Sequence, residues 1–210
     1  MAGPVLSEAY DRAVSLARQW HEDQVRKGSS VTYLAHLLSV SAYVLEACGD
    51  ETQAIAGLLH DALEDAGEVE TCEDRRSQIA EEFGPEVLAI VEACTDGNPD
   101  EKRDMTWRDR KERYLAHLRE APARHLLVSA ADKLHNARAI LYDVRRHGPA
   151  FIDTFNAPPS DTLWYFRSLA EIFRTRMPDL ETPPARMARE LERVVGVLEA
   201  EVGGAKGSEA

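Results

Sequence analysis

The chain has 210 residues, 44% of them hydrophobic, which suits one domain with a substantial core. Its formal net charge of −12 argues against a nonspecific DNA, RNA or anionic-membrane binder. Cys48, Cys72 and Cys94 are scattered with no Cys-x-x-Cys pair, so they read as reduced thiols of a cytoplasmic protein, not a disulfide framework or zinc ribbon.

Met1 to Leu6 is short and uncharged, so no leader is expected, and no apolar run approaches the roughly 20 residues of a membrane span. Ser7 to about Lys27 reads as an amphipathic helix capped by Ser7, with Ala9, Ala13, Leu16, Ala17 and Trp20 on one side. A turn, Arg26-Lys27-Gly28-Ser29-Ser30, carries two adjacent cations. Tyr33 to Cys48 is predicted as a second helix carrying His36 and stopped by Gly49.

Asp50 to Gly67 reads as one helix, with Asp50 and Gln53 as a capping box and Gly67 as its stop. On it His60 and Glu64, and Asp61 and Asp65, are i,i+4 neighbours. Three carboxylates then crowd the last turn and a half, where the helix dipole disfavours negative charge. An imidazole beside carboxylates in that position points to a bound metal ion.

Further helices are predicted at Asp74–Phe83, Glu86–Thr95, Thr106–Glu120, Ala123–Gly148, Leu163–Arg176 and Ala185–Val202. Asp96-Gly97-Asn98-Pro99-Asp100 and Asn156-Ala157-Pro158-Pro159 read as loops. Gly203 to Ala210 is small and polar and reads as a disordered tail, leaving residues 1–202 as the domain. With no β-alternation and no internal repeat, the expected fold is all-α.

Four helical residues, His36, His60, Asp61 and Asp132, together make a ligand set for one divalent metal. Neutral imidazole plus carboxylate suits Mn²⁺, Fe²⁺ or Zn²⁺ and leaves positions for water and a phosphate oxygen. The order His, His-Asp and distant Asp, all on helices, resembles the HD-domain phosphohydrolases. More narrowly, four stretches resemble the hydrolase domain of the RelA/SpoT family and the stand-alone small alarmone hydrolases. They are Gln24-x-Arg26-Lys27, Tyr33-x-x-His36, His60-Asp61-x-x-Glu64-Asp65 and Ala131-Asp132-Lys133-Leu134-His135-Asn136-x-Arg138.

The resemblance implies a single HD-type helical bundle and Mn²⁺-dependent removal of the 3′-pyrophosphate from (p)ppGpp in the stringent response. It makes His36, His60, Asp61 and Asp132 the metal ligands, with Glu64 and Asp65 positioning and activating water. Arg26 and Lys27 would then lie against phosphates, and Asn136 and Arg138 would line the nucleotide pocket.

The chemistry points the same way from the residues alone. Ester hydrolysis needs a metal to acidify water and neutralise phosphate oxygens, plus a general base, for which Glu64 and Asp65 stand one turn away. Arg26 offers a planar fork and Lys27 a point charge to a leaving pyrophosphate; their alternative is a solvated helix end. Lys102, Arg103, Arg108, Arg110, Lys111 and Arg113 flank Trp107 and read first as a solvated face, second as a source of phosphate contacts.

Three positions depart from the resembled pattern. Leu37 follows the first histidine where Pro is usual, Thr32 stands where Pro is frequent, and Ser129 replaces a common Lys three residues before Asp132. The loss of that cation keeps other substrates open: an adenosine alarmone, a nucleoside phosphate or NADPH. A nonhydrolytic nucleotide-binding regulator is the alternative from another class.

Overall fold

The computed structural model describes residues 4–179 and 181–204, and these are helical apart from turns and one isolated bridge, Val25 to Thr32. The all-α expectation is met. The chain divides into two compact units, residues 1–131 and 132–210, with one long helix running from the first into the second.

In the first unit, α1 (Glu8–Trp20), α2 (Leu34–Glu46), α3 (Glu51–Leu59), α4 (Val69–Phe83) and α5 (Pro85–Cys94) pack around α3, which meets α1, α2 and α5. Every residue from Gln53 to Leu59 is buried. A helix apolar on all sides belongs inside other helices, and this one does. Its entry is fixed by the capping box: Asp50 Oδ1 accepts from Gln53 N at 3.0 Å, and Gln53 Oε1 accepts from Asp50 N at 3.2 Å. Gly57 brings α3 against α2, because a Cβ there would stand 3.1 Å from Ser41 Cα. Ser41 Oγ donates to Ala54 O at 2.9 Å and lies 2.8 Å from Tyr10 Oη, joining α1, α2 and α3.

A short helix, α6 (Pro99–Asp104), and α7 (Trp107–Glu120) follow, and α8 (Ala123–His147) leads out of the unit. The second unit continues with a 3₁₀ helix (Pro149–Thr154), α9 (Pro159–Arg176) and α10 (Pro183–Gly204). Leu169 and Phe173 of α9 and Leu191 and Leu198 of α10 are fully buried. Among the described residues no helix is long and apolar enough to cross a membrane.

Several boundaries differ from the sequence reading, each for a local reason. The first helix stops at Trp20 rather than Lys27, because Gln24, Arg26 and Tyr33 exchange backbone bonds across a hairpin-like turn instead (Arg26 N to Val31 O 2.8 Å, Tyr33 N to Gln24 O 2.9 Å). The second ends at Glu46, and Cys48, not Gly49, takes the left-handed conformation at φ 60°. The predicted Asp50–Gly67 helix stops at Leu59, and residues 60–65 form turns. The fourth helix begins five residues earlier than expected, at Val69. Pro99, placed in a loop, starts α6 under an Asn98–Glu101 capping box. The final helix reaches Gly204, two residues into the predicted tail; the rest of that tail lies outside the described residues.

Candidate metal centre and its carboxylate turn

The early stop of α3 builds the site. After Leu59 the carbonyls that would have continued the helix are taken up by side chains. His60 Nδ1 donates to Gly57 O at 2.9 Å, Arg75 Nη1 to Ala62 O at 2.8 Å, and Lys102 Nζ to Glu64 O at 2.7 Å. Two tight backbone bonds shape the turn itself, Ala62 N to Leu59 O at 2.9 Å and Asp65 N to Asp61 O at 2.9 Å. The three carboxylates thus escape the unfavourable end of a long helix and fan out from a short turn.

His36 enters from the first turn of α2. Its Nε2 lies 3.2 Å from His60 Nε2 and 3.5 Å from Asp61 Oδ2, while His60 Nε2 lies 2.9 Å from the same oxygen. Both imidazoles are buried. Because a carbonyl can only accept, His60 carries its hydrogen on Nδ1, and a neutral ring then presents the Nε2 lone pair inward. Two imidazole nitrogens and a carboxylate oxygen facing one another at these distances fit a divalent cation. His36, His60 and Asp132, all buried, form a group of side chains able to hold a metal ion. On α8, Asp132 Oδ2 accepts from Lys133 Nζ at 2.6 Å and Oδ1 from Asn136 Nδ2 at 2.5 Å.

Partners that the sequence reading did not single out hold these groups. Tyr33 Oη donates to Asp61 Oδ2 at 2.7 Å and its ring packs edge-on to His36, centroids 5.3 Å apart. Gln24 Nε2 donates to Asp65 Oδ2 at 2.8 Å. Both stand in the motif stretches, Gln24 in Gln24-x-Arg26-Lys27 and Tyr33 in Tyr33-x-x-His36.

Glu64 and Asp65 sit side by side at an open cavity of about 390 Å³ lined also by Gln24, Gly67, Pro99 and Lys102. Lys102 Nζ is 3.3 Å from Glu64 Oε1 and 3.6 Å from Asp65 Oδ1. Burial, and then the neighbouring Asp96 carboxylate, hold the Glu64 carboxyl above the ordinary glutamate range, against the pull of Lys111 and Lys102. A carboxyl raised in this way is a better proton acceptor when ionised.

The basic stretch divides. Lys111 of α7 pairs with buried Asp96 in the loop before α6, and Arg113 Nη1 of α7 donates to Glu101 of α6 at 2.6 Å, whereas Arg108 donates to Glu112 at 2.8 Å within α7 and Arg103 to Asp104 at 2.9 Å within α6. Lys102 alone of the six has a bond to Glu64 or Asp65 among those described. Arg26 lies in the hairpin-like turn with its guanidinium carbon 5.7 Å from the Tyr33 ring centre, and Lys27 beside it is exposed. Arg138 Nη2 donates to Glu190 Oε1 at 2.9 Å. Ser129 is fully buried, accepting from Tyr114 Oη at 3.1 Å, and Leu37 is core. Tyr165 and Phe166 are buried and Trp164 half-buried, in keeping with a packing role.

Residues 13–150 match the family described as the HD domain. A GTP pyrophosphokinase of Streptomyces coelicolor is 30% identical over 132 residues, which are 63% of this chain and 15% of that protein. A guanosine-3′,5′-bis(diphosphate) 3′-pyrophosphohydrolase of Borreliella burgdorferi is 29% identical over 134 residues, 62% of this chain and 19% of that one. The chain therefore spans under a fifth of the length of these curated relatives. A solved metazoan protein, described as an ortholog of SpoT that hydrolyzes ppGpp, superposes with a TM-score of 0.68 over 91% of this chain and 97% of its own, at 23% identity. At that identity the likeness establishes a shared fold.

Proposed function

The chain belongs to the HD-domain family, and from that premise we propose that it is a cytoplasmic, metal-dependent phosphohydrolase that removes the 3′-pyrophosphate of guanosine alarmones. The observation that carries this reading is the convergence of His36, His60 and Asp61 within 3.5 Å, one turn from Glu64 and Asp65 at a cavity reached by Lys102. The names of the pyrophosphohydrolase relatives support the substrate class.

In this proposal His36, His60, Asp61 and Asp132 hold the ion, with Mn²⁺ preferred over Fe²⁺ or Zn²⁺. A divalent ion supplies Lewis-acid chemistry, acidifying water and neutralising phosphate oxygens. The chain's own residues do the rest. Tyr33 holds the Asp61 carboxylate in place through its hydroxyl. Glu64, its pKa raised by burial, accepts the proton of the attacking water, and Asp65 beside it orients that water. Lys102 bridges Glu64 and Asp65 and meets phosphate charge, while Arg26 and Lys27 receive the leaving pyrophosphate and Asn136 and Arg138 border the nucleoside.

Buried Ser129, where the resembled family commonly has lysine, favours a second reading in which the same machinery takes ppApp, a nucleoside phosphate or NADPH. Incubating manganese-loaded protein with these nucleotides and resolving products by ion-exchange chromatography separates the two. GDP and pyrophosphate from ppGpp support the first reading. Inactivity on ppGpp with phosphate or pyrophosphate released from another nucleotide would discard the guanosine alarmone and keep the hydrolase.

A further inference from the structure

We propose that His21 is a positioning residue that fixes the Asp65 carboxylate through the side-chain amide of Gln24, an inference that rests on the hydrolase reading above. His21 caps the C-terminal end of α1 and is buried, yet it lies outside the metal cluster. Its Nδ1 is 2.6 Å from Gln24 Oε1, and Gln24 Nε2 is 2.8 Å from Asp65 Oδ2. Its ring stacks on Tyr33, centroids 5.3 Å apart and planes 24° from parallel, and Tyr33 is the residue that bonds Asp61.

The chemistry of the three groups gives the chain one direction. An amide oxygen only accepts, so His21 Nδ1 must carry the hydrogen of the first bond. With Oε1 engaged, the amide NH₂ is turned toward Asp65, whose ionised carboxylate only accepts. Flipping the Gln24 amide would set oxygen against carboxylate oxygen at one end and NH₂ against N–H at the other. His21 thereby selects the only amide orientation that holds Asp65 as an ionised acceptor. The backbone supports the arrangement: Gln24 N donates to His21 O at 3.1 Å, and Gln24 O accepts from Tyr33 N at 2.9 Å. Arg75 braces both sides, donating to Ala62 O of the carboxylate turn and, at 3.4 Å, to Trp20 O at the end of α1. A histidine serving only to fill space would have no reason to meet a polar side chain that itself lines the cavity.

The test is a double-mutant cycle read in kcat and KM. Gln24→Met keeps the side chain's bulk and removes both bonds. It should lower kcat about 10-fold, the scale seen when the hydrogen-bond support of a site residue is lost, with KM and melting temperature little changed. His21→Phe retains the stack on Tyr33 and should lower kcat by a similar factor in the wild-type background, and by nothing further in the Gln24→Met background. His21→Asn, able to donate an N–H where Nδ1 did, should recover part of the loss. Multiplicative losses in the double variant, or wild-type kcat in Gln24→Met, would overturn the proposal. Nitrogen-15 spectra of the His21 ring in zinc-loaded protein separate it from the hydrolase reading. An Nδ1–H tautomer that changes in Gln24→Met supports the relay even where every nucleotide is left uncleaved. An Nε2–H tautomer overturns it even where hydrolysis is intact.

Discussion

Two glutamates, one in each unit, carry opposite electrostatics. Glu190 on α10 accepts from Arg193 at 2.8 Å through each carboxylate oxygen and from Arg138 at 2.9 Å, and its pKa is held down to about 2, by Arg193 first. Glu64 in the carboxylate turn is pushed the other way, by burial and by Asp96. Around Glu190 the chain has matched acid with guanidinium in the usual manner of helix surfaces: Arg145 donates to Glu201 at 3.0 Å, and Arg167 pairs with Glu199. Around Glu64 it has set Asp61, Asp65 and Asp96 close together and braced the backbone instead. The lesson is that a carboxylate saturated by arginines is committed to structure, whereas one kept high in a crowded acidic turn remains available to a cation and a proton. Perturbation of that kind is a mark of reacting sites.

Substitutions in the two regions should therefore fail differently, and the largest expected effect is at the ligands. Asp61→Ala should reduce nucleotide hydrolysis to background, because it deletes the oxygen that faces both imidazoles; a discontinuous phosphate or pyrophosphate assay reads this. Glu64→Ala should keep the metal, by elemental analysis, and lower turnover by about 10²-fold or more, as for loss of a general base. Wild-type turnover in that variant would remove Glu64 from the chemistry and erase the contrast with Glu190.

Gly57→Ala tests the packing that brings the two imidazole Nε2 atoms within 3.2 Å of each other. Its Cβ would meet the Ser41 backbone at 3.1 Å, so α3 must shift, at a cost of about 1–3 kcal/mol readable in denaturant melts. Glu190→Gln should cost roughly 1 kcal/mol at neutral pH, as for surface ion pairs, and leave turnover unchanged. Its sign with pH is fixed: the folded pKa lies below the unfolded one, so the stabilisation is present above the ordinary glutamate pKa of about 4.3 and fades as pH falls toward about 2. Glu64 should do the reverse, with the smallest effect. Its folded pKa is raised, so the ionised group penalises the folded state only as pH rises above about 4.3. In metal-free protein Glu64→Gln should therefore raise the melting temperature slightly at neutral pH and not at pH 4 or below.

How much of this was legible in the sequence follows from what each feature depends on. Periodicity and caps are local, so the Asp50–Gln53 capping box, the Ser7 cap and the starts of the helices they open were readable, as was the all-α class. The end of α3 was not, because it is decided by side chains from elsewhere: Arg75 on α4 and Lys102 on α6 supply the hydrogen bonds that replace helical ones after Leu59. Pro99 looked like loop chemistry because Asp-Gly-Asn-Pro is turn-rich, yet proline at a helix's first position and Asn98 as its cap start α6. His36, His60 and Asp61 stood out as types and spacings. The tasks of Tyr33, Gln24 and His21 did not, because each is defined by a partner at least 28 residues away or by a neighbour's side chain that only the fold orients.

The most direct test of the central claim is the metal content of the purified protein after manganese loading and gel filtration, measured beside Asp61→Ala. The arrangement of His36, His60 and Asp61 predicts about one ion per wild-type chain, the occupancy of a single mononuclear site, and a loss of that ion in the variant. A wild-type protein that retains no stoichiometric metal, with manganese or with iron or zinc in its place, would contradict the account.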